Sequence, residues 1–225
     1  MSEEHKDTFA RRIATLSLVV AFASVIVPYI QQEMLFKKQQ QEDLNVILNS
    51  SVNGPIKITD HNFGHMGYVV QVPWSLTVSN NGNRQLSIVK KRLSCGNEPN
   101  SQFYTGIDGG IFSKDYTPVQ LPIKLEEGES QSFYIYVGTL VPKHVYELLK
   151  KLNNGNPVMD RDAMKALGEK GIDIYGNSVE YRSYNGDQFS ISFKESGKAL
   201  RHWLVLSTGR GNEFFSSASK YKIVQ

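Results

Sequence analysis

One uncharged apolar run dominates what this chain can become: Ile13 to Ile30 reads IATLSLVVAFASVIVPYI. Besides the Tyr29 hydroxyl, its only polar side chains are those of Thr15, Ser17 and Ser24. As a helix it spans about 27 Å, close to the ~30 Å hydrocarbon thickness of a bilayer. Arg11 and Arg12 bound it on one side, and Tyr29 suits the far interface. Pro28 falls in the last turn, where lipid tolerates a kink. The run predicts one transmembrane helix over 13–30, behind an N-terminal tail, 1–12. A cleaved signal peptide ending at Ala21-Phe22-Ala23 is the competing reading, and the continuation of the apolar run through Ile30 favours an uncleaved anchor. A buried helix of a soluble protein would show one polar side, which this segment lacks. Lys6, Arg11 and Arg12 precede the run and Lys37 and Lys38 follow it, a bias that leaves the N-terminus in the cytoplasm and the rest outside.

The next segment, Gln31 to Asp43, reads QQEMLFKKQQQED, good helix formers without Gly or Pro. It predicts a helical connector over 31–43 that carries the membrane helix into water. Lys37 to Asp43 offers no apolar a/d pair, so a monomeric stalk is favoured over a coiled coil.

From Leu44 the period changes to two, and residues 44–225 read as one mainly β domain. Leu44, Val46 and Leu48 alternate with polar neighbours, and Asn53-Gly54-Pro55 signals a turn before a short strand, Ile56 to Thr59. Tyr68 to Ser79 sets Trp74, Leu76 and Val78 on one face and Ser75, Thr77 and Ser79 on the other. Asn80-Asn81-Gly82-Asn83 then turns the chain, with Gly82 expected at positive φ, into a return strand from Leu86 and Ile88. Val119 to Leu125 and Ser130 to Val137 are further strands; in the latter Tyr134 and Tyr136 are expected half-exposed, opposite Phe133, Ile135 and Val137. Late strands flank Asn185-Gly186 and Gly176-Asn177, and Trp203 to Leu206 and Tyr221 to Val224 are further candidates. A helical insertion interrupts this pattern over about 142–169. Val145, Leu148, Leu149 and Leu152 form a stripe ended by Asn153-Asn154-Gly155, and Asp160 is placed to cap a second helix through Leu167.

Trp74-Ser-Leu-Thr-Val-Ser-Asn80-Asn81-Gly82-Asn83 and Leu121-Pro-Ile-Lys-Leu125-Glu-Glu-Gly128-Glu-Ser130, the second followed by an alternating strand, carry a family pattern. Over Trp74 to Val137 the chain resembles the bacterial immunoglobulin-like domains of the cell-adhesion-related type. The arrangement as a whole is similar to bacterial proteins with a single N-terminal membrane helix. The resemblance implies an immunoglobulin-like β-sandwich and no particular activity, because its motifs are turn chemistry.

Little in the sequence points to catalysis. The nucleophile-elbow, zinc-protease, phosphate-loop and Rossmann signatures are all absent. Asp60, His61 and His65 share one loop and are the candidate metal ligands, although His61–His65 spacing suits a metal only on a helix. Arg210, in the polar Ser207 to Glu213 stretch, is the candidate anion contact. Cys95 is the single cysteine, so no intramolecular disulfide forms. Net charge is +3, too small to imply nucleic acid; Lys90-Lys91-Arg92 reads as a solvated strand edge, with a headgroup contact as the alternative. The expectation is a single-pass protein of a bacterial inner membrane with its β domain on the periplasmic side. It touches lipid through 13–30, bounded by Arg11, Arg12, Ile13 and Ile30, and binds a protein partner as a non-enzymatic assembly module without a cofactor. An enzyme whose site gathers distant residues, or an envelope ligand sensor, are the alternatives.

Overall fold

Tyr68–Asn80 is a strand of 13 residues, mostly buried at its start and alternating between buried and half-exposed from Trp74 on, the longest among the described strands and the one around which the first sheet is built. The computed structural model describes Phe22, Ser24 and residues 26–35, 41–50, 52–184, 188–193 and 200–220. In chain order the strands are β1 (Leu44–Asn49), β2 (Lys57–Asn62), β3 (Tyr68–Asn80), β4 (Leu86–Cys95), β5 (Asp108–Phe112), β6 (Pro118–Val119), β7 (Ile123–Leu125), β8 (Ser130–Val141), β9 (Val179–Ser183), β10 (Phe189–Phe193), β11 (Arg201–Thr208) and β12 (Glu213–Ser219). Helices α1 (Lys143–Leu152) and α2 (Asp160–Glu169) lie between β8 and β9.

The protein is mainly β, with antiparallel pairing throughout the described sheets. A six-stranded sheet runs β1-β3-β8-β5-β6, with β2 sharing the β1 edge of β3; a four-stranded sheet runs β12-β11-β4-β7; β9 and β10 form a separate pair. Trp74, Leu76, Ile135 and Val137 of the first sheet and Ile88, Leu93, Leu204 and Leu206 of the second belong to one buried cluster, so the sheets are two layers over a shared core. Such burial is the main driving force of the fold.

The chain changes layers more often than the sequence suggests. The segment after Gly82 is not a hairpin return: β4 leaves β3 and pairs instead with β11 and β7. Val119 to Leu125 is likewise not one strand. β6 ends in the first sheet, the Leu121–Pro122 peptide is cis, and β7 joins the second. The Asn53-Gly54-Pro55 segment does not turn but runs extended against the residues before α2, through Ile56 N–H to Val158 O at 2.8 Å and Asp160 N–H to Gly54 O at 2.7 Å. This added strip explains Tyr136. Instead of lying half-exposed it is buried, donating its hydroxyl to Pro55 O at 3.0 Å, and burial pushes its phenol up to about 12.

Helices α1 and α2 close one end of the core, contributing Val145, Tyr146, Leu149, Ala163 and Leu167 to it. In the expected α1 stripe Leu152 is left exposed, while Tyr146 is buried, stacked on Tyr68 at 4.4 Å and bonded to Thr59 O at 3.0 Å. Hairpin β9–β10 packs on α2 where Gly168 leaves room for Tyr181 and Ile191. Both helices fall within the expected 142–169, and the β9–β10 pair follows them before β11. Residues 185–187 and 221–225 lie outside the described set, so the Asn185-Gly186 turn and the Tyr221 to Val224 strand expectation fall there. β12, formed by EFFSSAS, was not anticipated.

The β3–β4 turn works by a different device from the one expected. Gly82 is not among the positive-φ glycines. A Cβ there would approach Asp43 N at 3.2 Å and Asn80 Oδ1 at 3.2 Å, so the need is for close passage of the chain. Buried Asn80 organises the turn: its Nδ2 donates to Arg84 O at 2.7 Å, Leu125 O at 3.2 Å and Glu126 O at 3.0 Å, and its Oδ1 accepts from Gly82 N at 3.1 Å. Asn80→Ala strands several buried backbone groups at once and should cost about 2–3 kcal/mol in denaturant unfolding. A loss indistinguishable from that of Ser79→Ala would show that the amide is dispensable.

Candidate functional site

Residues 26–35 are helical, and Ile26, Val27, Ile30, Met34 and Leu35 are all exposed. Among the described residues no helix is long and apolar enough to cross a membrane. Arg11, Arg12 and Ile13, with most of the expected 13–30 span, lie outside the described residues; Ile30 lies within the helix. The connector is not helical to its end, because Gln41, Glu42 and Asp43 are held in irregular conformation by the β domain. Asp43 O accepts from Asn81 N at 2.8 Å and Gly82 N at 3.2 Å. The Glu42 carboxylate, with its side chain only 7% exposed, accepts from the Thr208 hydroxyl and from Asn212 Nδ2 at 2.9 Å, and lies 3.8 Å from Arg210 Nε.

That geometry answers the anion expectation. Arg210 sits on the β11–β12 turn, and the anion beside it is the chain's own Glu42. The cradle therefore fixes the connector to the base of the second sheet. The metal expectation fares otherwise. Asp60 and His61 end β2 and His65 lies in the short Gly64–Met66 turn, all three exposed. Among the described residues no group of three or more His, Cys, Asp and Glu side chains could hold a metal ion. His61 instead packs beside Gly106, and the Asn62 carboxamide accepts from Gly64 N at 2.8 Å.

The outward faces of the two sheets differ in chemistry. The first carries Ser75, Thr77, Ser130 and Ser132, with Lys57 lying 3.8 Å from the ring centroids of both Phe112 and Tyr136; burial pushes that ammonium down. On the second, residues alternating with the buried His202, Leu204 and Leu206 point away from the core: Arg201, Trp203, Val205 and Ser207 on β11. Register sets Arg92 and Phe215 beside Val205, and Lys90 beside Ser207. Phe215 is 64% exposed, tilted against Trp203 at 6.2 Å, and Arg201 lies 5.8 Å from the Trp203 ring centroid. Lys91, in register opposite the buried Leu206, pairs with Asp108 of β5 and so ties the two sheets together. The sequence treats Lys90-Lys91-Arg92 as one solvated run, but each of the three has a different neighbourhood.

Inside, His202 is fully buried against the edge of Trp74 at 5.2 Å, beside Cys95. Neither His202 ring nitrogen makes a hydrogen bond of good geometry among the described residues, although the Gly138 and Leu200 backbone lies near the ring, and Trp74 Nε1 makes none either. Burial pushes the imidazole down to about 4, opposed more weakly by the Gly138 and Leu200 backbone, and pushes the Cys95 thiol up. Nearby Asp173 is raised by burial, although Tyr175 N, Asn177 N and Asn177 Nδ2 donate to it at 2.9, 2.7 and 2.8 Å. No protein-family model matches the chain, and no curated protein matches it in sequence.

Proposed function

We propose that this chain is a membrane-anchored binding or assembly module: an immunoglobulin-like sandwich held at a set position by a docked connector. The observation that carries the reading is the helix 26–35, whose apolar side chains Ile26, Val27, Ile30, Met34 and Leu35 are exposed. An apolar surface of that kind calls for a cover, and continuation into the uncharged residues from Ile13 makes lipid the cover. The immunoglobulin-like reading is supported by the strand order β1-β3-β8-β5 facing β12-β11-β4-β7, with repeated crossings between layers. Two departures accompany it: β5 and β6 precede β7, and α1 to β10 are inserted before β11.

Tethering raises the local concentration of a partner, so modest surfaces suffice for assembly. The β domain stands on the periplasmic side of a bacterial inner membrane, and a protein partner binds its exposed faces. Full-length chain should pellet with membranes from lysed cells and dissolve only in detergent, and crosslinking before extraction should shift it into a discrete larger complex. Recovery in the detergent-free supernatant removes the anchor; monomer alone after crosslinking removes the assembly role. Sidedness is read with an impermeant maleimide on Thr77→Cys in intact cells, since buried Cys95 stays silent.

A further inference from the structure

We propose that the outward face of the second sheet, centred on Trp203 and Phe215, docks an acidic protein segment carrying an apolar side chain. The inference rests on the assembly reading and names the partner's chemistry.

The charge on this face is one-sided. Lys90, Arg92 and Arg201 occupy outward positions of β4 and β11, and Lys124 does so on β7. The carboxylate at an outward position of these strands is Glu213, and it is engaged by Arg92 at 3.4 Å. Lys90 and Lys124 form no ion pair among the described residues. Long-range attraction for an acidic segment is therefore built in, while a basic partner is repelled. At the centre, Phe215 stands out of the sheet beside Trp203, over a floor made by buried Val205. An aromatic pair ringed by cations is the composition of an interface centre, where desolvation makes a few contacts dominate. The outward face of the first sheet, with its serines and threonines, offers no comparable ring of charge.

Protein fits this face better than lipid. The connector meets the sandwich at the β11–β12 turn, at one end of the strands, through Glu42. The patch lies along β11, where Val205 opposes Phe215 and Trp203 opposes Ser217, so it looks sideways from that end.

Trp203 and Trp74 are the two tryptophans, and Trp74 is buried, so Trp203 emission reports on the patch. Full-length chain in neutral detergent is titrated with a synthetic glutamate-rich peptide bearing a central Leu-Phe pair. The lysine version of the peptide and anionic phospholipid vesicles are titrated alongside. A saturable Trp203 response to the acidic peptide is expected, lost in Trp203→Phe. Its dissociation constant should rise about tenfold in Lys90→Glu/Arg201→Glu and comparably when salt is raised to screen the patch. Phe215→Ser, an exposed substitution that leaves the melting temperature in place, should abolish saturation. A response shared by the lysine peptide, insensitivity to Lys90→Glu/Arg201→Glu, or saturation by vesicles but not peptide overturns the proposal. A photo-crosslinker in place of Thr77 that captures the complex when one in place of Phe215 does not sinks this face alone and leaves the tethered module standing. Absence of the chain from the membrane fraction sinks the module reading, whatever the titration shows.

Discussion

Lys220→Met should lower the unfolding free energy by about 3–5 kcal/mol, the usual penalty for stripping a buried charge of its partner. Lys220 and Asp160 are both buried, and the ammonium donates to Asp160 Oδ2. Asp160 Oδ1 has no hydrogen-bond partner among the described residues, so the pair is incompletely satisfied even in the intact protein. Burial pushes the Asp160 carboxyl up and the Lys220 charge pulls it back. Removing the ammonium leaves only the first effect. The native carboxyl then binds a proton more readily than the unfolded one, so the defect should shrink as pH falls. Replacing both partners, in Asp160→Leu/Lys220→Met, leaves no orphaned charge and should recover most of the loss. Denaturant unfolding of the full chain measures all three variants. A single-substitution loss under about 1 kcal/mol would reduce the pair to the worth of a surface ion pair.

That ion pair also marks where sequence reading stops. Asp160 before a short amphipathic segment looks like a helix cap, yet the residue at the cap position is Met159, without a side-chain cap bond. The competing use of Asp160 depends on a lysine 60 positions away, a separation that no local pattern encodes. The same division runs through the molecule. Leu44, Val46 and Leu48, and Trp74, Leu76 and Val78, were legible because one-sided burial imposes period two. Strand β5 was not, since its Gly109 and Gly110 are poor strand formers, Gly109 being required where the Tyr136 and Gln71 side chains pass close by.

At Asn80-Asn81-Gly82-Asn83 the turn chemistry was read correctly as turn and incorrectly as topology, whereas Asn53-Gly54-Pro55 is no turn at all. An Asn-Gly signal after β3 says that the chain reverses, and is silent about whether the next strand pairs with the last or crosses to another layer. For the candidate site, Arg210 was rightly placed in a polar loop, but its Glu42 partner comes from the connector. Trp203 was placed on a candidate strand, but its outward pairing with Phe215 was not legible, because β11 is apolar at outward as well as inward positions, which blurs alternation. His202, which stands alone in the sequence, is fully buried. Its neighbours sit across the core on β3 and β8, which only the folded chain brings together.

His202 leads to the second large effect: acidification from pH 6.5 to pH 4 should remove about 3 kcal/mol of stability through this residue alone. Above pH 6.5 the imidazole is neutral in both folded and unfolded chains and contributes no slope. Below it the unfolded chain takes up a proton, whereas the native imidazole, pushed down to about 4, does not. The unfolded state then binds more protons, so stability falls with falling pH until native His202 titrates as well. Asp160 and Asp173, both raised by burial, act in the opposite sense over the acid range. The informative quantity is therefore the difference between wild type and His202→Phe. Phenylalanine keeps an aromatic ring against Trp74 and replaces two nitrogens that make no hydrogen bond of good geometry among the described residues. It should be close to neutral near pH 7.5. Between pH 6.5 and 4 the variant should gain on wild type by about 3 kcal/mol, measured as paired urea titrations across that range. Parallel curves for the two proteins would mean that His202 is hydrated, or partnered, in solution. In that case the dry contact between the two sheets would not be what holds its charge off.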